Sequence, residues 1–331
     1  MHEALFWEKE GDKVRCRLCP HLCLIAEGRA GTCKVRTNVG GRLIALTYGK
    51  VSSIGLDPVE KKPFFHFKPG KTMLSFGSVG CNLGCLHCQN YAISQAGPSS
   101  FFLRDVPPEK VPELVRNYDG QGVAWTYNEP TMWTEFVIDS GRLCKDHGFF
   151  TGFVTNGYIN EGPLRELKGI VDAINIDVKG FNEEFYKKIC KAKLQPVLDT
   201  VRTAKELGMH VELTYLVITN KNDGADEVGR FCEWAMSIDP GMPIHFSRFH
   251  PDYRMMDVPP TPSATMERAY DIAKGRGLKF VYVGNMPSDH ESTYCPDCGS
   301  LAIKRSGFSI RMVGVRDGKC SKCGASLGLV L

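Results

Sequence analysis

Eleven of the chain's 14 cysteines fall in three tight groups. They are Cys16, Cys19, Cys23 and Cys33; Cys81, Cys85 and Cys88; and Cys295, Cys298, Cys320 and Cys323. The middle group, Cys81-x3-Cys85-x2-Cys88, offers three thiolates from one short loop. A structural zinc site closes with four ligands. Three clustered thiolates with no fourth in the loop suit a four-iron cluster with one iron left free for a non-protein ligand. Zinc with His87 as fourth ligand is the alternative, although its adjacency to Cys88 makes joint ligation awkward. Gly80 and Gly84 let the backbone close around a bulky inorganic centre.

The flanking groups read differently. Cys295-x2-Cys298 and Cys320-x2-Cys323 are two knuckles with the spacing of a zinc ribbon, and four thiolates make a closed structural zinc site. The tail is too short to bury much core, so the metal would hold it together. Cys16-x2-Cys19-x3-Cys23-x9-Cys33 fits either structural zinc or an auxiliary [4Fe-4S] cluster, and His21 could displace one cysteine. Zinc is the simpler choice, since nothing in the sequence demands a second redox centre. Cys144, Cys190 and Cys232 stand alone in helix-like stretches and read as small core residues.

These groups need elements to position them. Short β-branched and aromatic runs recur at 72–78, 122–127, 149–155, 173–178, 211–217, 244–248 and 280–283. Helical stretches fall between them at 108–118, 131–147, 161–168, 198–207, 226–237 and 263–274. Such alternation predicts an α/β fold with a parallel sheet, either an open partial barrel or a doubly wound sheet. In both, chemistry sits at the carboxyl ends of the strands. Those ends are polar: the cysteine loop after the first strand, Asn128-Glu129 after the second, Asn156-Gly157 after the third, Asp177 and Lys179 on the fourth. His245, Ser247, Arg248 and His250 follow on the sixth, and Asn285 on the seventh. The expected division is 1–68 as a Cys-rich metal-binding segment, 69–285 as the barrel and 286–331 as the zinc-ribbon-like end.

Composition sets the limits. Hydrophobic residues at 43% and charged residues at 24% describe a folded chain of 331 residues, large enough for one sizeable domain with appendages. No apolar run is long enough for a membrane helix, and the first residues do not read as a secretory signal, so a cytoplasmic protein is expected. In that compartment clustered cysteines mean metal more often than disulfides. The formal charge of +4 counts thiols as neutral. With metal-bound thiolates the balance moves to about −1, so nucleic-acid binding is not expected.

Cys-x3-Cys-x2-Cys after the first strand of an α/β domain resembles the radical S-adenosylmethionine superfamily. The resemblance is closer to its pyruvate formate-lyase-activating-enzyme-like branch, and within that to the radical enzyme of the AmmeMemoRadiSam system. The stretches that carry it include CRLCPHLC at 16–23, DPVEKKP at 57–63, CQN at 88–90, TYNEPT at 126–131 and SRFHP at 247–251. It implies a partial (β/α)6 barrel, a [4Fe-4S] cluster on Cys81, Cys85 and Cys88, and S-adenosylmethionine on the free iron. Reductive cleavage would give a 5′-deoxyadenosyl radical that abstracts hydrogen from a protein or small-molecule substrate, with glycyl-radical installation as one option. A low-potential donor, ferredoxin or flavodoxin, and a protein partner are implied too.

Chemistry and resemblance together suggest cofactor-binding roles. Glu129 would take the ammonium, Asn156 the ribose or carboxylate, and Lys179 the carboxylate beside Asp177. His87 would stack near adenine, and His250 would lie near the cofactor. The sequence departs from activating enzymes where Val154 precedes Thr155-Asn156-Gly157, which removes support for an associated cation site there. A non-catalytic iron–sulfur carrier or zinc-ribbon nucleic-acid-binding protein is the reading of another class.

Overall fold

The computed structural model describes residues 1–331. Its centre is one eight-stranded sheet: β1 (Ser53–Pro58), β2 (Thr72–Gly77), β3 (Gly122–Trp125), β4 (Phe150–Thr155), β5 (Ala173–Asp177), β6 (His210–Val217), β7 (Ile244–Arg248) and β8 (Val281–Gly284). The strands lie side by side in sequence order. β1 pairs antiparallel with β2, and every later pair is parallel. A doubly wound sheet reverses its order at a switch point. The unbroken order here is that of a barrel that stops before closing, because β1 and β8 remain edges.

Helices α1 (Lys110–Asn117), α2 (Thr134–Asp146), α3 (Glu161–Glu166), α4 (Gln195–Glu206), α5 (Ala225–Ile238) and α6 (Ser263–Gly275) fill the crossovers. α4 starts three residues before the hydrophobic pattern announces it, because Pro196 suits its first turn. The largest cluster of buried apolar side chains joins these helices to the strands and includes Trp125, Phe153, Val211 and Phe246.

β1 lies within the stretch expected to be a separate N-terminal segment, so the sheet begins at Ser53 and not near residue 69. Its residues alternate little and carry Gly55 and Pro58, which hid it from periodicity. Two small antiparallel sheets precede it. One pairs Trp7–Glu10, Lys13–Cys16 and Leu24–Ile25. The other pairs His2–Glu3, Arg42–Ala45 and Arg36–Val39.

The chain between β1 and β2 plugs the amino end of the barrel. Val59, Phe64 and Phe67 pack there against Met73, Ala124 and Ala173. The Glu212 carboxylate of β6, fully buried, accepts from the backbone N–H groups of Phe65 and His66 at 3.0 and 2.8 Å. It also bonds the imidazoles of His210 and His245 at 2.9 and 2.7 Å. A buried carboxylate needs such partners. His245, expected at the polar carboxyl end, therefore sits at the start of its strand as a structural partner of Glu212.

Past β8, two small antiparallel sheets carry the last cysteine group, one of Thr293–Tyr294, Leu301–Ser306 and Ser309–Met312, the other of Val315–Arg316 and Lys319–Cys320. Arg305 fastens this unit to the plug, donating to Phe65 O at 2.7 Å and Thr293 Oγ1 at 2.6 Å. Val330 pairs with the same segment through Lys68 N and His66 O. No helix of the chain is long and apolar enough to cross a membrane.

Candidate active site

A cavity of about 420 Å³ opens at the carboxyl ends of the strands. Cys81, Cys85 and Cys88 line it together with His87, Glu129, Asn156, Asp177 and Lys179. Three further strands, β3, β4 and β5, therefore aim their ends at the cysteine loop that leaves β2. Gly80 has φ of +86°, and a Cβ there would come within 2.7 Å of the Cys33 carbonyl oxygen, so only glycine allows the loop to leave β2 this way.

The loop is braced from beneath. Leu83 N donates to Cys81 Sγ at 3.3 Å, and Asn156 Nδ2 approaches the same sulfur at 3.6 Å. Asn156 Nδ2 also donates to Asn82 Oδ1 at 2.9 Å, while its own Oδ1 accepts from Tyr158 N at 2.8 Å. Asn156 is thus committed to holding Cys81 and Asn82. Burial, then the Glu129 charge, pushes the Cys81 thiol well above its ordinary value, and burial raises Cys88. Cys85 is lowered, chiefly by the neighbouring Cys190 thiol. Cys190, read from sequence as core filler, is fully buried and abuts this loop, and its carbonyl accepts from Gly84 N at 2.9 Å. Its position in a π-helical turn at Tyr186–Cys190 gave no sequence signal.

Glu129 is 2% exposed. Its Oε1 accepts from Thr131 N at 2.9 Å and Thr155 Oγ1 at 2.6 Å, and its Oε2 accepts from Asn156 N at 2.8 Å. Burial raises its pKa against those three bonds. A carboxylate has about four acceptor sites, so one remains on the cavity side. Asp177 and Lys179 form an ion pair at 2.6 Å. Burial alone would lower Lys179, but Asp177 holds it above its ordinary value, so the cavity keeps a fixed cation.

His87 is 3% exposed and both ring nitrogens lack a partner. Burial, then repulsion from Lys179, lowers it to about 3, so the ring is neutral. His250 stands at the exposed rim, with Nε2 3.0 Å from the side-chain amide of Gln89, which itself lines the cavity. Arg248 donates to Thr261 O at 2.7 Å. The cavity also takes Lys61 and Lys62, both bonded to Asp57 at 2.7 Å. Lys62 lies 4.3 Å from the Tyr127 ring centre, and the Tyr127 hydroxyl donates to Asp57 at 2.8 Å. The 57–63 stretch carried the resemblance, but its lysines had no assigned role.

The remaining cysteines fall in two places. Cys295, Cys298, Cys320 and Cys323 bring all four sulfurs within 4.8 Å of one another, a closed four-thiol group that fits a zinc-ribbon appendage. Cys16, Cys19, Cys23 and Cys33 line a second, much smaller cavity whose wall includes Asn82 of the cysteine loop.

A family model described as the radical SAM superfamily matches residues 76–235. An uncharacterised protein of Methanocaldococcus jannaschii is 46% identical over 336 residues, covering all of both chains. The pyruvate formate-lyase 1-activating enzyme of Escherichia coli K12 is 25% identical over 229 residues, covering 65% of this chain and 93% of that one. A solved radical SAM methyltransferase from Sphaerobacter thermophilus superposes with a TM-score of 0.52 at 14% identity, covering 71% of each chain, which bears on the fold alone. The chain belongs to the radical SAM superfamily. Within it the chain is similar to the pyruvate formate-lyase-activating enzymes.

Proposed function

We propose that Cys81, Cys85 and Cys88 hold a [4Fe-4S] cluster and that the cavity beside them binds S-adenosylmethionine, in an enzyme that abstracts hydrogen from a protein or small-molecule substrate. One observation carries this reading: three thiols from one loop line a single cavity with a buried carboxylate, a fixed ammonium and an imidazole whose nitrogens are unpartnered. The donor set fits the group. Three sulfurs leave one iron of a cube open, the Leu83 amide and Asn156 support Cys81, and Gly80 keeps the loop close.

When bound, the cluster and sulfonium supply one-electron cleavage to methionine and a 5′-deoxyadenosyl radical. The chain's own residues bind and orient. Glu129 presents its free acceptor site to the ammonium. Lys179, held charged by Asp177, meets the carboxylate. Neutral His87 offers an apolar ring face to adenine. Asn156 keeps Cys81 in place, and His250 with Gln89 forms the rim through which substrate enters.

Glycyl-radical installation is the narrower form of this reading, supported by similarity to proteins named as activating enzymes. It requires a partner that presents a glycine loop to the cavity mouth. A reduced ferredoxin or flavodoxin is the proposed electron donor. A reducing cytoplasm is the proposed setting for so many metal-binding thiols. The last cysteine group would hold zinc.

The test is anaerobic reconstitution, reduction with dithionite and measurement of 5′-deoxyadenosine and methionine. Both products are expected from the native chain and neither from Cys81→Ala. Equal yields from the two proteins would reject the enzyme reading in favour of a non-catalytic metalloprotein.

A further inference from the structure

Two four-cysteine groups in one chain allow an internal comparison. Zinc bound to sulfur at about 2.3 Å places tetrahedral sulfurs about 3.8 Å apart. The C-terminal group matches this, with Cys295 and Cys323 sulfurs 3.5 Å apart and Cys298 and Cys320 sulfurs 3.7 Å apart. The N-terminal group does not close up in this way: no three of its sulfurs lie within 4.8 Å of one another. The same is true of Cys81, Cys85 and Cys88. Both sets surround a cavity and do not converge on a point. A cube of four irons and four sulfides spreads its thiolates further than a single ion does.

The lining points the same way. Arg36 is 1% exposed and lines the N-terminal cavity, and its Nε has no partner. A buried N–H without an acceptor is costly. Inorganic sulfide or a cluster thiolate would satisfy it. His21, a possible alternative ligand by sequence, has its Nε2 bonded to Asn82 O at 2.7 Å, which leaves only its Nδ1 to compete with the four cysteines as a donor.

The cavity also shares a wall with the catalytic loop. Asn82 lines it, and Asn82 follows Cys81 directly. On the other side, Cys23 is the most open of the four cysteines. We propose that Cys16, Cys19, Cys23 and Cys33 hold a fully protein-ligated [4Fe-4S] cluster that relays single electrons to the centre at Cys81, Cys85 and Cys88. One electron enters from a reduced ferredoxin- or flavodoxin-class donor, and the same electron leaves toward Asn82 and Cys81. No bond forms or breaks in the relay, and no proton moves. The relay rests on the proposed function; the cluster assignment does not.

The test begins with the full chain carrying Cys81→Ala, Cys85→Ala and Cys88→Ala, reconstituted anaerobically with iron, sulfide and zinc. Expected are about four irons, about one zinc and, after dithionite, the electron paramagnetic resonance signal of a reduced [4Fe-4S] cluster. Two zincs and no iron would overturn the cluster. Should that variant not fold, iron, sulfide and zinc analysis of the native chain decides. About eight irons with one zinc supports the proposal, and about four irons with two zincs overturns it.

The relay is read in Cys16→Ser/Cys33→Ser. Flavodoxin-driven formation of 5′-deoxyadenosine should fall severalfold, while dithionite-driven formation persists. Equal loss with both reductants, or loss with neither, would overturn the relay while leaving the iron count to judge the cluster. Absence of 5′-deoxyadenosine from the native chain would instead count against the proposed function.

Discussion

Arg36 of the N-terminal sheets and Glu135 of α2 meet in an ion pair in which Nη2 bridges the two carboxylate oxygens at 2.5 and 2.6 Å. Both side chains are almost wholly buried, at 1% and 2% exposure. Glu135 also accepts from Leu5 N at 2.7 Å, and Arg36 donates to Leu5 O at 3.2 Å. The cysteine-rich segment is thereby locked to a barrel helix through charge, not only through apolar contact. Removing one partner of a buried pair leaves the other charge uncompensated, at a cost of about 3–5 kcal/mol. Glu135→Ala should therefore lower the thermal midpoint strongly, and Arg36→Met/Glu135→Leu should recover part of the loss. Differential scanning fluorimetry under anaerobic conditions checks this; a double variant no better than the single one would contradict it.

Glu129→Gln tests the cofactor carboxylate. The glutamine amide would turn a donor toward Thr131 N, Thr155 Oγ1 or Asn156 N, all of which donate in the native site. It would also lose the charge that an ammonium seeks. Hydrogen bonds to charged groups are worth about 1.5–3 kcal/mol, or roughly 10–150-fold in affinity. S-adenosylmethionine binding by calorimetry should weaken by that order while the iron content stays native. Unchanged affinity would remove Glu129 from the binding set.

Cys190 raises a separate question because it abuts the cysteine loop, its carbonyl accepting from Gly84 N at 2.9 Å. Were it a fourth ligand, no iron would be open. The proposed function predicts the opposite: Cys190→Ala keeps the iron count and the yield of 5′-deoxyadenosine within about twofold, since a small apolar replacement at a buried site costs mainly packing. Cys85→Ala should lose both. Iron loss in Cys190→Ala equal to that in Cys85→Ala would show a fully ligated centre.

The reach of the sequence differed by element. The parallel strands are buried on both faces, so their apolar runs announced them. β1 escaped because it is an antiparallel edge strand with Gly55 and Pro58, where burial does not impose a pattern. At the site, spacing placed Cys81, Cys85 and Cys88 in one loop, and the polar strand ends placed Glu129, Asn156, Asp177 and Lys179 on one rim. What spacing could not give was orientation. Asn156 turns toward Cys81, and His245 lies a strand length away with Glu212. Cys190 comes to Cys85 from about a hundred residues downstream through a π-helical turn. Those facts depend on side-chain direction and long-range packing, which no local period encodes.

His66 sets an acid limit on the joint between barrel and ribbon. Its ring is fully buried, with Nε2 2.5 Å from the Tyr282 hydroxyl and Nδ1 unpartnered. Burial, then the nearby Arg305 charge, lowers it to about 3, although Glu212 pulls the other way. The unfolded chain takes up this proton near pH 6.5, and the folded chain refuses it until about pH 3. Stability is therefore complete above about pH 6.5 and declines as the pH falls, by up to ~1.4 kcal/mol per unit for this one proton. Between pH 7 and 5.5 the native chain should lose about 1 kcal/mol on this account. His66→Gln keeps a polar reach toward Tyr282 but cannot titrate. It should be less stable at pH 7, yet lose less on acidification, because buried His87 still contributes its own slope in both proteins. Urea midpoints at the two pH values measure the difference, and parallel slopes in the two proteins would show that the fold does not lower the proton affinity of His66.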